Sequence, residues 1–202
     1  PELSKSVPKI KVVIAGTGPM TEELKKRVFE MGLNDKVSFT GYMDEDSRNK
    51  MYRVANAAVF PSLYEPFGIV ALEAMAAGCP VIVSETGGFS EIISHRQNGL
   101  KVITGSSESL CHNLKELLLN EELSSGFRER GRQVVKEKYN WEFTAELTVK
   151  MYHQVVEEAK GTEWDTTLTV HASEKDNSVN TLQEEGLITV AVSSTQDNEY
   201  SE

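Results

Sequence analysis

Residues 57–84 run Ala57-Ala-Val-Phe60, Pro61-Ser-Leu-Tyr-Glu65-Pro-Phe-Gly68, Ile69-Val-Ala-Leu-Glu73-Ala-Met-Ala-Ala-Gly78 and Cys79-Pro80-Val-Ile-Val-Ser84. The first run is short and apolar, as a buried strand is, and proline and glycine punctuate the loop that follows. Residues 67–77 are strong helix formers, and Gly78 stands where a glycine ends a helix. Residues 80–84 are built around β-branched Val81-Ile82-Val83 and read as a second strand. A strand, a crossover helix and a strand place the two strands parallel in one sheet.

The same alternation extends in both directions. Residues 9–15 (KIKVVIA) predict a strand closed by the turn Gly16-Thr17-Gly18-Pro19, and residues 20–31 a helix with Thr21 as its cap and Gly32 as its stop. Residues 37–40 (VSFT) predict a strand, followed by a helix capped by Asp44 or Asp46 and ending near Val54. Beyond Ser84, a short helix is expected over 91–94 after the Gly87-Gly88 turn, then an Asn98-Gly99 turn and a strand over 100–103. Ser106 or Ser107 caps a helix to Leu119, residues 121–139 are helical, and Asn140 caps a last helix over 141–160. The expected fold is α/β: a Rossmann-like parallel sheet flanked by helices over residues 1–160, followed by a low-order acidic tail over 161–202.

Charge divides along the same line. The whole chain carries −10, but residues 161–202 hold nine acids against the single base Lys175, which leaves only −2 on residues 1–160. The tail is rich in Ser, Thr, Asn and Glu and reads as disordered, or at most a marginal hairpin of residues 167–171 and 187–192. Neither part has the basic footprint of a nucleic-acid or anionic-membrane binder. No apolar run approaches the ~20 residues of a spanning helix, and residues 1–9 lack a signal-peptide core. Two cysteines, Cys79 and Cys111, at no metal or redox spacing, read as reduced thiols of a cytoplasmic protein.

The chemistry concentrates where the strand at 57–60 hands over to a helix near Phe67 or Gly68. The carboxyl-end crevice of an open α/β sheet is where ligands bind. A helix start there offers unpaired, electropositive N–H groups to a diphosphate. Gly68, lacking a Cβ, would let an anion approach the amides of Gly68, Ile69 and Val70. Eight residues separate Glu65 from Glu73, at most about 12 Å along a helix axis. That suits the two ends of a sugar–diphosphate–ribose ligand and is too long for a retaining glycosidase pair, whose carboxyls stand ~5 Å apart.

The segment E-P-F-G-I-V-A-L-E resembles the E-x7-E signature of the family-4 (group 1) retaining glycosyltransferases of the GT-B fold. The resemblance spans about residues 8–158, with Gly16-Thr-Gly18-Pro, V-S-F-T-G-Y, Thr86-Gly87-Gly88 and the closing tryptophan helix, and leans to the glycogen- and glucan-synthase-like or sucrose-phosphate-synthase-like members. It implies the C-terminal, donor-binding half of that fold. Glu65 would contact the transferred sugar and count as the catalytic carboxylate. Glu73 would bind the ribose hydroxyls, and Phe67, Gly68, Ile69 and Val70 would hold the distal phosphate. Gly16 and Gly18 would approach sugar and phosphate, and the backbone at Tyr42 or Met43 the base.

It also implies a UDP-, ADP- or GDP-sugar as substrate and neither a metal nor another cofactor. Complete relatives place an acceptor domain and an Arg…Lys pair tens of residues before G-x-G-P, whereas fifteen residues precede Gly16 here. Lys5, Lys9 and Lys11 do not match that pair. An acceptor domain or partner chain is therefore expected to complete the activity, and this chain alone to bind donor without transferring it.

Three other readings compete with this one. A dinucleotide fold is disfavoured because Thr21 stands at the third glycine of G-x-G-x-x-G. A sugar-nucleotide epimerase would lack E-P-F-G…E. A stand-alone, non-catalytic nucleotide-sugar-binding module is the remaining alternative. Elsewhere, Glu91 reads as a charge at a helix start, His95 as a surface residue, Cys111-His112 as an incidental helix-face pair, and Tyr64 and Trp141 as packing residues. Phe143, Leu147, Met151 and Val155 are expected to form an exposed apolar stripe.

Overall fold

Apolar runs and helical stretches alternate through residues 1–165, the part that the computed structural model describes. The order is α1 (Glu2–Ser6), β1 (Val12–Ala15), α2 (Thr21–Glu30), β2 (Val37–Gly41), α3 (Glu45–Val54) and β3 (Ala58–Phe60). There follow α4 (Ile69–Ala76), β4 (Val81–Ser84), α5 (Gly87–Ile92), β5 (Leu100–Val102), α6 (Ser107–Leu119), α7 (Glu121–Lys138) and α8 (Trp141–Ala159). The expected hairpin strands at 167–171 and 187–192 lie outside the described residues. The chain divides into two units, Pro1–Tyr152 and His153–Glu202, the second described only to Asp165.

Among the described residues all strand pairing is parallel, but it forms two sheets rather than one. β1 pairs with β2 from Val12↔Val37, with an irregularity between Ile14 and Ala15. β3, β4 and β5 form the second sheet, through Ala58↔Val81 and Ile82↔Leu100. The βα alternation dictates parallel pairing of neighbouring strands but does not say which strands are neighbours. Burial is uneven: β1 and α2 contribute no buried side chain, and Val12 and Val13 stay exposed.

The core surrounds β4, whose four residues are all buried. Successive strand side chains point to opposite faces. Val81 and Val83 therefore join Ala71, Ala74, Met75, Phe89 and Ile93 in one cluster, and Ile82 joins Leu100, Val102, Leu117 and Phe127 in another. A parallel strand buried on both faces reads as a continuous apolar run, as V-I-V does here. α4 packs against β3, β4, α3 and α7 and buries Ala71, Ala74 and Met75.

The caps follow the expected residues in most places. Asp44 accepts from the Ser47 N–H at 2.7 Å, Ser106 from Ser109 at 3.1 Å, and Asn140 from Phe143 at 2.8 Å. Gly32 and Gly78 take the positive φ values that end α2 and α4. Thr21 does not cap α2, because Met20 holds that position; its hydroxyl instead accepts from the Gly18 N–H upstream. α4 starts at Ile69, later than expected, and α5 at Gly87, earlier. α1 went unread, a single turn closed by the Lys5–Glu2 pair.

α8 carries no buried residue; Leu147, Met151 and Val155 are exposed as expected, while Phe143 is partly buried. Among the described residues no helix is long and apolar enough to cross a membrane.

The distribution of the core predicts which aromatic residues matter. Phe127→Ala should cost about 3–5 kcal/mol in urea-induced unfolding. Phe29→Ala, at a residue 73% exposed, should change stability by no more than about 0.5 kcal/mol.

Candidate functional site

The loop after β3 is fixed by its own glutamate. The Glu65 Oε1 accepts from the Gly68 N–H at 3.0 Å, and the Glu65 carbonyl accepts from the Gly88 N–H at 2.9 Å. The Thr86 hydroxyl adds a long bond to the Leu63 carbonyl. One turn of backbone, Thr86-Gly87-Gly88, thus holds the E-P-F-G loop from the side of α5. Both glycines are required by proximity. A Cβ on Gly87 would strike the Glu65 carbonyl oxygen, and one on Gly88 would fall 2.5 Å from the Phe67 carbonyl carbon.

Gly68 occupies the N-cap of α4 at φ +81°, a left-handed conformation open chiefly to glycine. Its missing Cβ faces inward, where Phe89 and Ile92 would each lie 2.9 Å away. Gly68 thus serves the turn and its packing on α5, and its N–H is already bonded to Glu65. The amides left over at the helix start are those of Ile69 and Val70, the first-turn groups without an intrahelical acceptor.

The N-terminus of α4 is open outward. Leu63, Tyr64, Phe67 and Ile69 are 60–78% exposed, and Val70 is 37% exposed. Tyr64 is therefore not a packing residue, and neither is Trp141. At the other end of α4, Arg128 donates to the Gly78 carbonyl at 3.2 Å, and the Arg132 guanidinium lies where a Gly78 Cβ would project. Cations there complement the negative end of the helix.

Glu73 is the one charged residue of α4, a little over one turn in. Because the helix begins at Ile69, its helical rise to Glu73 is only about 6 Å. Its Oε1 takes a 2.9 Å ion pair from Arg48 Nη2 on α3, and its Oε2 and the Arg48 Nε are buried without a hydrogen-bond partner. Tyr52 stands one helical turn beyond Arg48. Burial pushes its phenol pKa up, and the nearby Glu73 charge adds to the effect. Arg48 was not singled out from the sequence. Its only signal there was an i, i+4 spacing from Tyr52, which many solvent-facing arginines share.

The remaining candidates form a second group at the ends of β1 and β2. The Gly16 N–H donates to the Gly41 carbonyl at 2.7 Å, so the G-x-G-P turn and the Gly41-Tyr42-Met43 segment lie side by side. Gly16, Gly18 and Tyr42 are exposed and Met43 is half-buried. Among the described residues, no hydrogen bond or ion pair joins this group to Glu65 and α4. No cluster of three or more His, Cys, Asp or Glu is placed to hold a metal ion among those residues. Glu91 sits at the end of α5 instead of its start. His95 is exposed and accepts from the Lys101 N–H. Burial raises the Cys79 thiol to about 11.

The family model for glycosyl transferases group 1 matches residues 1–134. The chain belongs to the group 1 glycosyl transferases. An uncharacterized glycosyltransferase of Methanocaldococcus jannaschii is 41% identical over 165 residues, covering 77% of this chain and 41% of the relative. Among solved structures, sucrose-phosphate synthase of Thermosynechococcus elongatus superposes with a TM-score of 0.65 at 30% identity, over 77% of this chain and 42% of that one. HepE of Anabaena in complex with UDP-glucose gives 0.63 at 21% identity, over 77% and 43%, a likeness of fold. The group 1 chain thus spans about two fifths of the length of these proteins, and the solved structures it resembles have the GT-B architecture.

Loop clamping by Gly88 has a direct consequence for the group 1 domain. Gly88→Ala should lower stability in chemical denaturation by about 1–3 kcal/mol, because backbone must shift. Gly18→Ala, where a Cβ meets nothing within 4 Å, should stay within about 0.5 kcal/mol.

Proposed function

We propose that this domain binds a nucleoside-diphosphate hexose and supplies the donor half of a retaining glycosyltransferase acting on a hydroxyl acceptor. The observation that carries this is the start of α4. Two unpaired amides, Ile69 and Val70, open outward between the Glu65 carboxylate on one side and the Glu73 carboxylate a turn further on. The amides suit the distal phosphate of the donor. Glu65 then accepts from hydroxyls of the hexose and Glu73 from the ribose diol. Gly16 and Gly18 close on the sugar and phosphate, and the backbone at Met43 meets the base. The UDP-glucose held by HepE, a protein of the same fold, supports a uridine donor.

In this scheme the anomeric carbon–oxygen bond to the diphosphate breaks while the acceptor hydroxyl attacks from the same face. The departing phosphate oxygen takes the acceptor proton, and configuration is retained. The helix start and the Glu65 carboxylate orient the donor, and charge developing on the diphosphate is met by the α4 amides. Preorganised dipoles of this kind supply a large part of transition-state stabilisation. An acceptor-binding domain with the cations for the leaving phosphates completes the enzyme.

Calorimetry with UDP and UDP-glucose tests the assignment. Glu73→Ala should weaken UDP by about 1–3 kcal/mol, the scale of a charged hydrogen-bonding group. Glu65→Gln, whose amide oxygen can keep the bond from the Gly68 N–H, should leave UDP affinity unchanged and weaken UDP-glucose. Equal affinities in wild type and both variants would sink the assignment. Transfer that appears only when an acceptor domain is added supports the catalytic role; binding with no transfer in any combination points to a non-catalytic module.

A further inference from the structure

The residues facing α4 from α3 are not accounted for by donor binding alone. α3 is anchored at its start by Asp44, and it turns Arg48 and Tyr52 toward an α4 that is otherwise apolar. An ion pair taken largely out of water contributes little net stability unless all its hydrogen-bonding capacity is met. This one is unmet at two atoms: one donor, the Arg48 Nε, and one acceptor, the Glu73 Oε2. Both sit on the same pair, at the edge of the proposed site.

We propose that Arg48 is a specificity-determining residue that reads the ribose together with Glu73. The assignment rests on the donor site described above and deepens it. An orphan donor beside an orphan acceptor is complementary to a group that is both, and a hydroxyl is the simplest such group. A phosphate supplies no donor at neutral pH and is repelled by Glu73, while an ammonium supplies no acceptor. A vicinal diol meets both orphans with one hydroxyl and leaves the other for the outer edge of the carboxylate.

The two orphan atoms are themselves buried, but their side chains remain 33% and 28% exposed, so a turn of the carboxylate opens them to a ligand at the surface. The terminal torsion of a glutamate is broad, so the carboxylate can turn toward a ligand while keeping its arginine. The 2.9 Å bond to Nη2 limits that turn and fixes where the free oxygen can go. Arg48 therefore positions the carboxylate as well as offering a donor of its own.

The test compares UDP with 2′-deoxy-UDP by calorimetry on the whole chain. Wild type should prefer UDP by about tenfold or more. In Arg48→Met the UDP affinity should fall about tenfold and the 2′-deoxy-UDP affinity less than about threefold, collapsing the preference. Arg48→Lys, which keeps the charge and one donor, should retain an intermediate preference; if Arg48→Met does not fold, Arg48→Lys is read alone. A preference that survives intact in a folded Arg48 variant overturns the role of Arg48. If the preference survives in the Arg48 variants while Glu73→Gln abolishes it, the donor site stands without Arg48. Wild-type protein that binds neither nucleotide overturns the donor site itself, and this inference with it.

Discussion

The bond from the Gly68 N–H to the Glu65 carboxylate closes the loop after β3 on itself and sets the first residue of α4. It holds only because the chain on the other side comes equally close. Gly87 and Gly88 press backbone against backbone, and Phe89 and Ile92 fill the space that a side chain at residue 68 would need. Two strand-end loops are thereby locked edge to edge above β3 and β4. The buried β4 run holds them from below, and Arg128 and Arg132 complete α4 at its far end. Any change in that contact moves the helix start, and with it the direction of the two amides on which donor binding depends.

Much of the fold was legible because it rests on local signals. Capping residues, positive-φ glycines and short apolar runs located β1 to β5 and the long helices to within a few residues. Parallel pairing was legible from the βα alternation; the division of the described strands into β1-β2 and β3-β4-β5 was not, since periodicity does not say which strands are neighbours. Helix starts were read early or late wherever a glycine stood at the boundary. Gly68 permits both a loop and a helix N-cap, and Gly87 begins a helix that β-turn chemistry alone would have ended.

The site was legible in part for a related reason. Glu65 and Glu73 stood out by context: one beside Pro66 and Gly68, the other alone in an apolar helix. What could not be read was their engagement by the protein itself. Glu65 spends one oxygen as a cap, and Glu73 is tied to Arg48 across 25 residues of sequence. An arginine on an exposed-looking helix face carries no mark of its partner. Likewise, Gly68 suggested space for a ligand, but its open side turned out to face Phe89.

Donor binding at the head of α4 makes one claim that backbone amide spectra can examine residue by residue. UDP-glucose titrated into isotope-labelled protein should produce its largest amide shifts at Ile69 and Val70, with smaller ones around Glu73 and at Gly16 and Gly18. The Gly68 amide, already bonded to Glu65, should move less than its two successors. Saturating UDP-glucose that leaves Ile69 and Val70 unshifted, or that shifts only residues remote from α4, would contradict the account.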